Sequence, residues 1–334
     1  MTSFVKIAAA VAALCTLAAC AGAPEPSGNT SGDPTGDAPA GKLKIALIAK
    51  ANASDYWTAV KDGAMQAATD LKVEVTFLGP DTESEGDKQL NQLQTAVNEK
   101  PAGIGFAPQD GAQDGAPPIL DAAKAAGIPV VAFDTPVKTS DIPIATVASN
   151  NKAIGAMAAE RLVELTGGKG DIAIIAHGEV GTAADRRDGF TEYIAEKAPE
   201  MKIVDTQNGE SDQAKSRDKA NGILTAHPNL VGFFGTDDDS VIAIAEEVAS
   251  RNLSAQIKVI GVDASPDEIK LVKEGKITGA VTQNPGGIGY KTVQVLVDAA
   301  KGTMPTQKEI ISESVWYTAD NLSSPEVVAV LGQQ

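Results

Sequence analysis

From Leu43 onward the sequence alternates short runs of β-branched and aliphatic residues with longer amphipathic stretches, and after Ser149 the alternation starts again. KLKIALIAK reads as a buried strand and Asp55 to Leu71 as a helix; VEVTFLG is a strand, Glu85 to Glu99 a helix and GIGFAP a strand. Gly111 to Ala126 reads as a helix, followed by the strands IPVVAFD and IATVAS. The second set runs Asn151 to Leu165 (helix), DIAIIAHG, Ala183 to Lys197 (helix), MKIVDTQ, Asp212 to Thr225 (helix) and LVGFFGTD. It closes with Ser240 to Arg251 (helix), IKVIGVD, Pro266 to Glu274 (helix) and ITGAVTQ. Strands that are apolar along their whole length must be covered on both faces, which is the condition of a parallel sheet. Strand-helix alternation supplies those covers, and right-handed crossovers make the unit doubly wound.

The fold class expected is therefore α/β, with two doubly wound parallel-sheet lobes joined by a hinge. A length of 334 residues suits two lobes of similar size. The helix Gly286 to Lys301 and the run IISESVWYT are expected to return to the first lobe, which means two or three crossings near Ser149, Gln283 and Ser312. That gives an N-terminal lobe of residues 42–148 plus 284–312, and a C-terminal lobe of residues 149–283 plus 313–330.

Charge removes several partners. The formal net charge is −16, from 28 Lys plus Arg against 44 Asp plus Glu. Nucleic acid needs a basic footprint, and so does electrostatic attachment to anionic lipid. Past the N-terminus no run approaches the roughly 20 apolar residues of a membrane span.

The first residues, MTSFVKIAAAVAALCTLAAC, carry one cation at Lys6 and then an apolar run broken only by Thr16. This is the layout of a secretory signal. Its end, Leu17-Ala18-Ala19-Cys20, resembles the lipobox of bacterial lipoproteins, in which the Cys thiol takes a diacylglyceryl group and becomes the mature N-terminus. A plain secretory peptide with an incidental Cys, or a short membrane anchor, is the alternative. The signal segment covers residues 1–20 and ends at Cys20; with Cys15 in the part removed ahead of it, Cys20 has no partner for an internal disulfide. Residues 21–41 are Gly, Pro, Ser, Thr and Asp with almost nothing to bury, which predicts a flexible linker spanning roughly 25 Å. The expected location is extracytoplasmic, held to the cell membrane through Cys20.

Sheets of this type bind ligands beyond the carboxyl ends of their strands. The first strand ends at Lys50, with Tyr56 and Trp57 shortly after, and the fourth ends at Asp134-Thr135. The second lobe contributes Arg186, Thr236, Asp237, Asp263 and Gln283. Carboxylates accept from hydroxyls, Arg and Lys donate to oxygens, and aromatic rings cover apolar C–H faces. The set suits a hydroxyl-rich ligand.

At these positions the chain resembles the ribose- and galactose-type periplasmic sugar-binding proteins, the type I substrate-binding proteins of ABC importers. The markers are Tyr56-Trp57 before Lys61-Asp62-Gly63, Ala126-Gly127-Ile128-Pro129-Val130 leading to Asp134, and Arg186 before Gly189-Phe190. Leu224-Thr225-Ala226-His227-Pro228, Val262-Asp263-Ala264-Ser265-Pro266 and Thr282-Gln283 complete them. The resemblance implies that Tyr56 and Trp57 stack on a sugar and that Asp134, Arg186, Asp263 and Gln283 make polar ligand contacts. It implies a monosaccharide or polyol ligand, capture by hinge closure, an ABC permease as partner, a monomer and no cofactor. Thr236 and Ser54 stand where the ribose branch has Asn, Ser211 where it has an aromatic, and Thr135 where it has a second Arg. Lys50 is a further departure, shared with members that take deoxysugars or furanosyl signals. Ribose itself is disfavoured.

Each residue also has a plainer reading. Tyr56-Trp57 can be core packing, Asp134 and Asp263 can cap helices, Arg186 can be a solvated helix residue, and Lys50 can snorkel to solvent. Asp237-Asp238-Asp239 reads as a helix start complementing the macrodipole rather than a metal site. His177 and His227 read as structural. Catalysis has no support: no dinucleotide or phosphate loop, no nucleophile motif and no metal-ligand spacing occurs. Two alternatives remain in view: a receptor for a furanosyl signal or sugar acid that feeds a sensor, and a lactose-repressor-type regulator. The latter needs a DNA-binding headpiece where this chain carries an export signal.

Overall fold

The computed structural model describes residues 42–109, 111–178 and 180–331. The expected signal, the anchor at Cys20 and the linker to residue 41 lie outside the described residues. The first sheet is built from β1 (Lys44–Ile48), β2 (Glu74–Leu78), β3 (Gly103–Phe106), β4 (Val130–Phe133), β5 (Ala145–Ser149) and β11 (Glu309–Ser312). The second comprises β6 (Lys169–Ala176), β7 (Glu200–Asn208), β8 (Leu230–Gly235), β9 (Lys258–Val262), β10 (Gly279–Thr282) and β12 (Val315–Tyr317). Their orders are β11-β5-β4-β3-β1-β2 and β12-β10-β9-β8-β6-β7, so one winding is used twice. Every pairing is parallel except β12 on β10.

The parallel strands are buried on both faces because helices lie on each side. β3, β4 and β10 carry no exposed residue. The first sheet is flanked by α1 (Asp55–Leu71), α2 (Gly86–Glu99), α3 (Ala116–Ala125) and α9 (Pro285–Ala300). The second is flanked by α4 (Asn151–Thr166), α5 (Thr182–Lys197), α6 (Gln213–Ala226), α7 (Asp238–Ser250), α8 (Pro266–Lys273) and α10 (Pro325–Leu331).

Two elements differ from the sequence expectation. α3 starts at Ala116, not Gly111, with Pro117 and Pro118 in its first turn. Proline fixes φ and lacks the N–H a helix interior needs, so it favours a first turn. The run IISESVWYT is two strands: β11 ends the first sheet and β12 ends the second, with Glu313-Ser314 between them.

Among the described residues the chain passes between the sheets three times: after β5, after β10 and between β11 and β12. The passages are tied together. Ser149 Oγ donates to the Gln283 carbonyl at 3.0 Å, and Ser312 Oγ donates to the Asn284 carbonyl at 3.4 Å. Each lobe also holds one very close helix pair. A Cβ at Gly63 of α1 would lie 1.9 Å from the Gly286 carbonyl oxygen of α9. In the second lobe a Cβ at Gly155 of α4 would lie 1.9 Å from the Arg186 carbonyl oxygen of α5. Only glycine allows this approach, and it fixes where Arg186 stands.

Candidate functional site

In the first lobe the site forms where β1 and β4 end. Asp134 follows β4 with φ of 61°, in the left-handed region, and its N–H donates to the Val147 carbonyl at 2.9 Å. Its carboxylate collects three side-chain donors: Lys50 Nζ at 2.9 Å, Tyr56 OH at 2.7 Å and Thr135 Oγ1 at 2.9 Å. Lys50, Asp134 and Thr135 are all buried. Burial pushes the Asp134 carboxyl up, but the Lys50 charge and the three hydrogen bonds outweigh it and hold the group below its ordinary range. Burial likewise works against the Lys50 ammonium, and the charges of Asp134 and Glu83 overcome it, leaving Lys50 above its usual value. Burial is the main cause that lifts the Tyr56 phenol well above its usual value, with Asp134 next. The ends of β1 and β3 are clamped by Gln89, whose Nε2 donates to the carbonyls of Ala49 at 2.8 Å and Ala107 at 2.7 Å.

The second lobe repeats the plan. Asp263 follows β9, the equivalent of β4, with φ of 101°, and its N–H donates to the Val281 carbonyl at 3.1 Å. Gln283 Nε2 donates to Oδ1, and the Asp238 N–H donates to Oδ2 at 3.3 Å. Tyr317 OH donates to the Asp263 carbonyl at 2.9 Å. Arg186 is buried, donates from Nε to Asn151 Oδ1 at 2.9 Å and from Nη1 to the Thr236 carbonyl at 2.8 Å, and stands 3.9 Å from Asp263 Oδ2. Burial raises the Asp263 carboxyl above its ordinary value; the Arg186 charge and the Gln283 hydrogen bond offset only part of this.

The two halves sense each other. Arg186 acts electrostatically on Lys50 and Tyr56, and Asp263 acts on Tyr56. Lys50, Tyr56, Asp134, Thr135, Arg186, Asp263 and Gln283 therefore converge. Three other expected residues are placed differently. Trp57 is 1% exposed within the first-lobe core, edge-on to Phe133 and to Tyr56, with its indole N–H on Glu83 Oε1 at 2.7 Å. Ser54 is exposed and caps α1 through the Trp57 N–H. Thr236 is fully buried; its hydroxyl accepts from the His177 N–H and donates to Asp237 Oδ2, both at 3.3 Å.

The sequence did not reveal Asn151, which orients Arg186, or Glu83, which reaches Lys50 electrostatically from the β2–α2 loop. Asp237 caps α7 through the Ser240 N–H at 3.1 Å and acts on Asp263. Its strand-end position was the available signal. Among the described residues no cluster of metal-ligating side chains forms, and no helix is long and apolar enough to cross a membrane. What the site offers is hydrogen bonding: two oriented carboxylates, two cations, an amide and a phenol, shielded from water.

Comparison with known proteins gives concordant findings. The model of the periplasmic binding protein domain matches residues 45–304. The D-allose-binding periplasmic protein of Escherichia coli is 28% identical over 268 residues, covering 77% of this chain and 85% of that protein. A carbohydrate transporter solute-binding protein from Agrobacterium radiobacter, solved with D-arabinose, superposes with a TM-score of 0.79 at 26% identity, covering 87% of this chain and 99% of that one. An ABC transporter solute-binding protein from Agrobacterium vitis, solved with D-fucose, gives 0.78 at 30% identity, covering 86% and 99%.

Proposed function

Because the chain belongs to the periplasmic binding protein domain family, whose members bind solutes and are not enzymes, we propose that it captures a neutral monosaccharide or polyol between its lobes and delivers it to an ABC importer. The observation that carries this reading is the facing of two equivalent sets, Lys50–Asp134–Tyr56 and Arg186–Asp263–Gln283. A carboxylate has about four acceptor positions, and internal donors orient each one while leaving capacity for ligand hydroxyls. Lys50 and Arg186 balance Asp134 and Asp263, so a neutral ligand enters without leaving an unpaired buried ion. The Tyr56 ring supplies an apolar surface for a sugar's C–H face. The relatives' ligands, D-allose, D-arabinose and D-fucose, belong to this class.

Capture works by closure of the lobes about the three passages at Ser149, Gln283 and Ser312. Closure excludes water, which strengthens the hydrogen bonds that select the ligand. The closed monomer is what the permease recognises, and diacylation at Cys20 keeps it at the membrane. A sugar acid or a furanosyl signal is less favoured, because Lys50 is already neutralised by Asp134 and Glu83.

A thermal-shift screen of monosaccharides, polyols and sugar acids tests the reading, since a specific ligand stabilises the fold by mass action. A neutral sugar or polyol is expected to raise the unfolding temperature in a saturable way. Stabilisation by acids alone, or by nothing in the panel, would overturn it. Metabolic lipid labelling of wild type and Cys20→Ser tests the anchor, and equal labelling of both refutes it.

A further inference from the structure

Near Asp263 lies a polar group that the binding site does not use. Glu268 occupies the first turn of α8, is fully buried, and neither of its carboxyl oxygens has a hydrogen-bond donor among the described residues. The sequence Ser265-Pro266-Asp267-Glu268 has the form of a capping box. Only half of the box is made: the Glu268 N–H donates to Ser265 Oγ at 3.2 Å, while the Glu268 carboxyl turns inward. Gly261 of β9 makes room for it and for Val241, because a Cβ there would lie 2.8 Å from Glu268 Oε1 and 2.7 Å from Val241 Cγ2.

The inward carboxyl meets Asp238 from α7 and Tyr317 from β12, both within hydrogen-bonding reach. Tyr317 has one proton and donates it to the Asp263 carbonyl. Asp238 is an acceptor already engaged by Ser265 Oγ at 2.6 Å. Two carboxyl groups in contact in a dry interior cannot both be ionised, so a proton must lie between them. The other charged groups bearing on this cluster are Asp239 on α7, Asp237 and Asp263 at the strand ends, and Arg186 on α5, the cation acting on Asp263.

We propose that Glu268 is a positioning residue for the ligand-binding carboxylate Asp263: it remains a neutral acid at neutral pH, donates to Asp238, and thereby fixes the start of α7 and the backbone on which Asp263 is held. The path is short. Asp238 gives its N–H to Asp263 Oδ2, and Tyr317, beside Glu268, gives its OH to the Asp263 carbonyl. Asp263 has φ of 101°, a conformation that must be held by its surroundings. Burial, followed by the Asp238 and Asp263 charges, keeps the Glu268 acid well above the ordinary carboxyl range. Burial also pushes Asp238 up to about 7. The inference rests on the reading of Asp263 as a ligand contact.

The test uses the full chain and two independent readouts. Infrared spectroscopy at about pH 8, above the Asp238 transition, is expected to show a carboxylic-acid carbonyl band that is absent in Glu268→Gln. Calorimetric titration with D-allose, D-arabinose and D-ribose follows binding. Glu268→Gln, which keeps a neutral donor, is expected to retain affinity within about twofold, and Glu268→Leu to lose at least about tenfold. Gly261→Ala in a Val241→Ala background, which relieves the competing contact with Val241 and crowds the carboxyl without removing it, repeats that loss relative to Val241→Ala alone where Glu268→Leu does not fold. A band that persists in Glu268→Gln, or unchanged affinity in Glu268→Leu and in Gly261→Ala over Val241→Ala, overturns the proposal. If none of the three sugars binds wild type, the neutral ligand found by thermal shift takes their place; if that panel yields none, the ligand reading fails instead, and the infrared comparison still decides where the proton is.

Discussion

The Lys50 ammonium lies 2.9 Å from Asp134 Oδ2, and the two side chains are only 9% and 6% exposed. Neither charge is placed there for stability alone, because desolvating both ions offsets most of their attraction. Tyr56 and Thr135 add two hydrogen bonds to the same carboxylate, which fix its orientation.

Asp134→Ala is expected to weaken ligand binding by tens- to thousands-fold, corresponding to about 2–5 kcal/mol for a buried charge-assisted contact that loses one partner. Calorimetry with the ligand found by thermal shift measures it. The variant also leaves Lys50 buried without its main counter-ion, so its unfolding temperature should fall. Unchanged affinity would remove Asp134 from the site.

Stability should depend on pH in two opposite ways. The Asp134 carboxyl is held low in the folded state, so its contribution is present above the unfolded value near 3.8 and is lost as pH falls through the lower folded value. Asp238 is raised from 3.8 to about 7, so its contribution is present below the unfolded value and is lost as pH rises through about 7. The second effect is on the order of 4 kcal/mol. Thermal unfolding of wild type and Asp238→Asn from about pH 4 to about pH 8 reads it, and the variant should gain relative to wild type across that window. Parallel profiles would show that Asp238 is not perturbed.

Gly155→Ala should damage both the fold and the site. Its Cβ would lie 1.9 Å from the Arg186 carbonyl oxygen, so α4 and α5 must separate. Overpacking of this kind costs about 1–3 kcal/mol, and the shift moves Arg186 relative to Asp263. Gly63→Ala makes the matching clash in the first lobe with Gly286, on α1 and α9, which carry neither cation of the site, although Tyr56 lies in the first turn of α1. At equal loss of stability, Gly155→Ala is expected to lose more affinity than Gly63→Ala. Equal affinities would mean that helix spacing does not position Arg186.

Ligand charge can be read from salt dependence. A neutral sugar should bind with an affinity nearly independent of ionic strength, and its aldonic acid should bind more weakly, because both cations are already paired. Titration of the matched pair at several salt concentrations decides the matter. Tighter binding of the acid, weakening as salt rises, would show that Lys50 is free to meet a carboxylate.

Much of this was legible from the chain alone. Continuous apolar runs such as Val130–Phe133 and residues 259–262 announce strands buried on both faces, and the helices between them show which connections are crossovers. The strand-end rule then pointed to Lys50, Asp134, Arg186, Asp263 and Gln283, which the structure brings together. It does not say which way a side chain faces, because neighbours in sequence can point to opposite sides. Tyr56 reaches Asp134 while Trp57 packs on Phe133, and the Thr236 hydroxyl is taken up inside the lobe.

What the sequence determined by itself was periodicity and order: α/β lobes wound twice and the residues that end each strand. These depend on local propensity and on the burial of apolar surface, both written in the spacing of residues. What only the tertiary structure decided was partnership. That Glu268 meets Asp238 rather than closing its capping box, that Asn151 aims Arg186, and that β12 joins the second sheet while β11 joins the first all depend on distances between segments far apart in the chain. Such contacts are set by how helices and sheets pack, and the energy of a buried charge depends on which neighbour packing delivers to it.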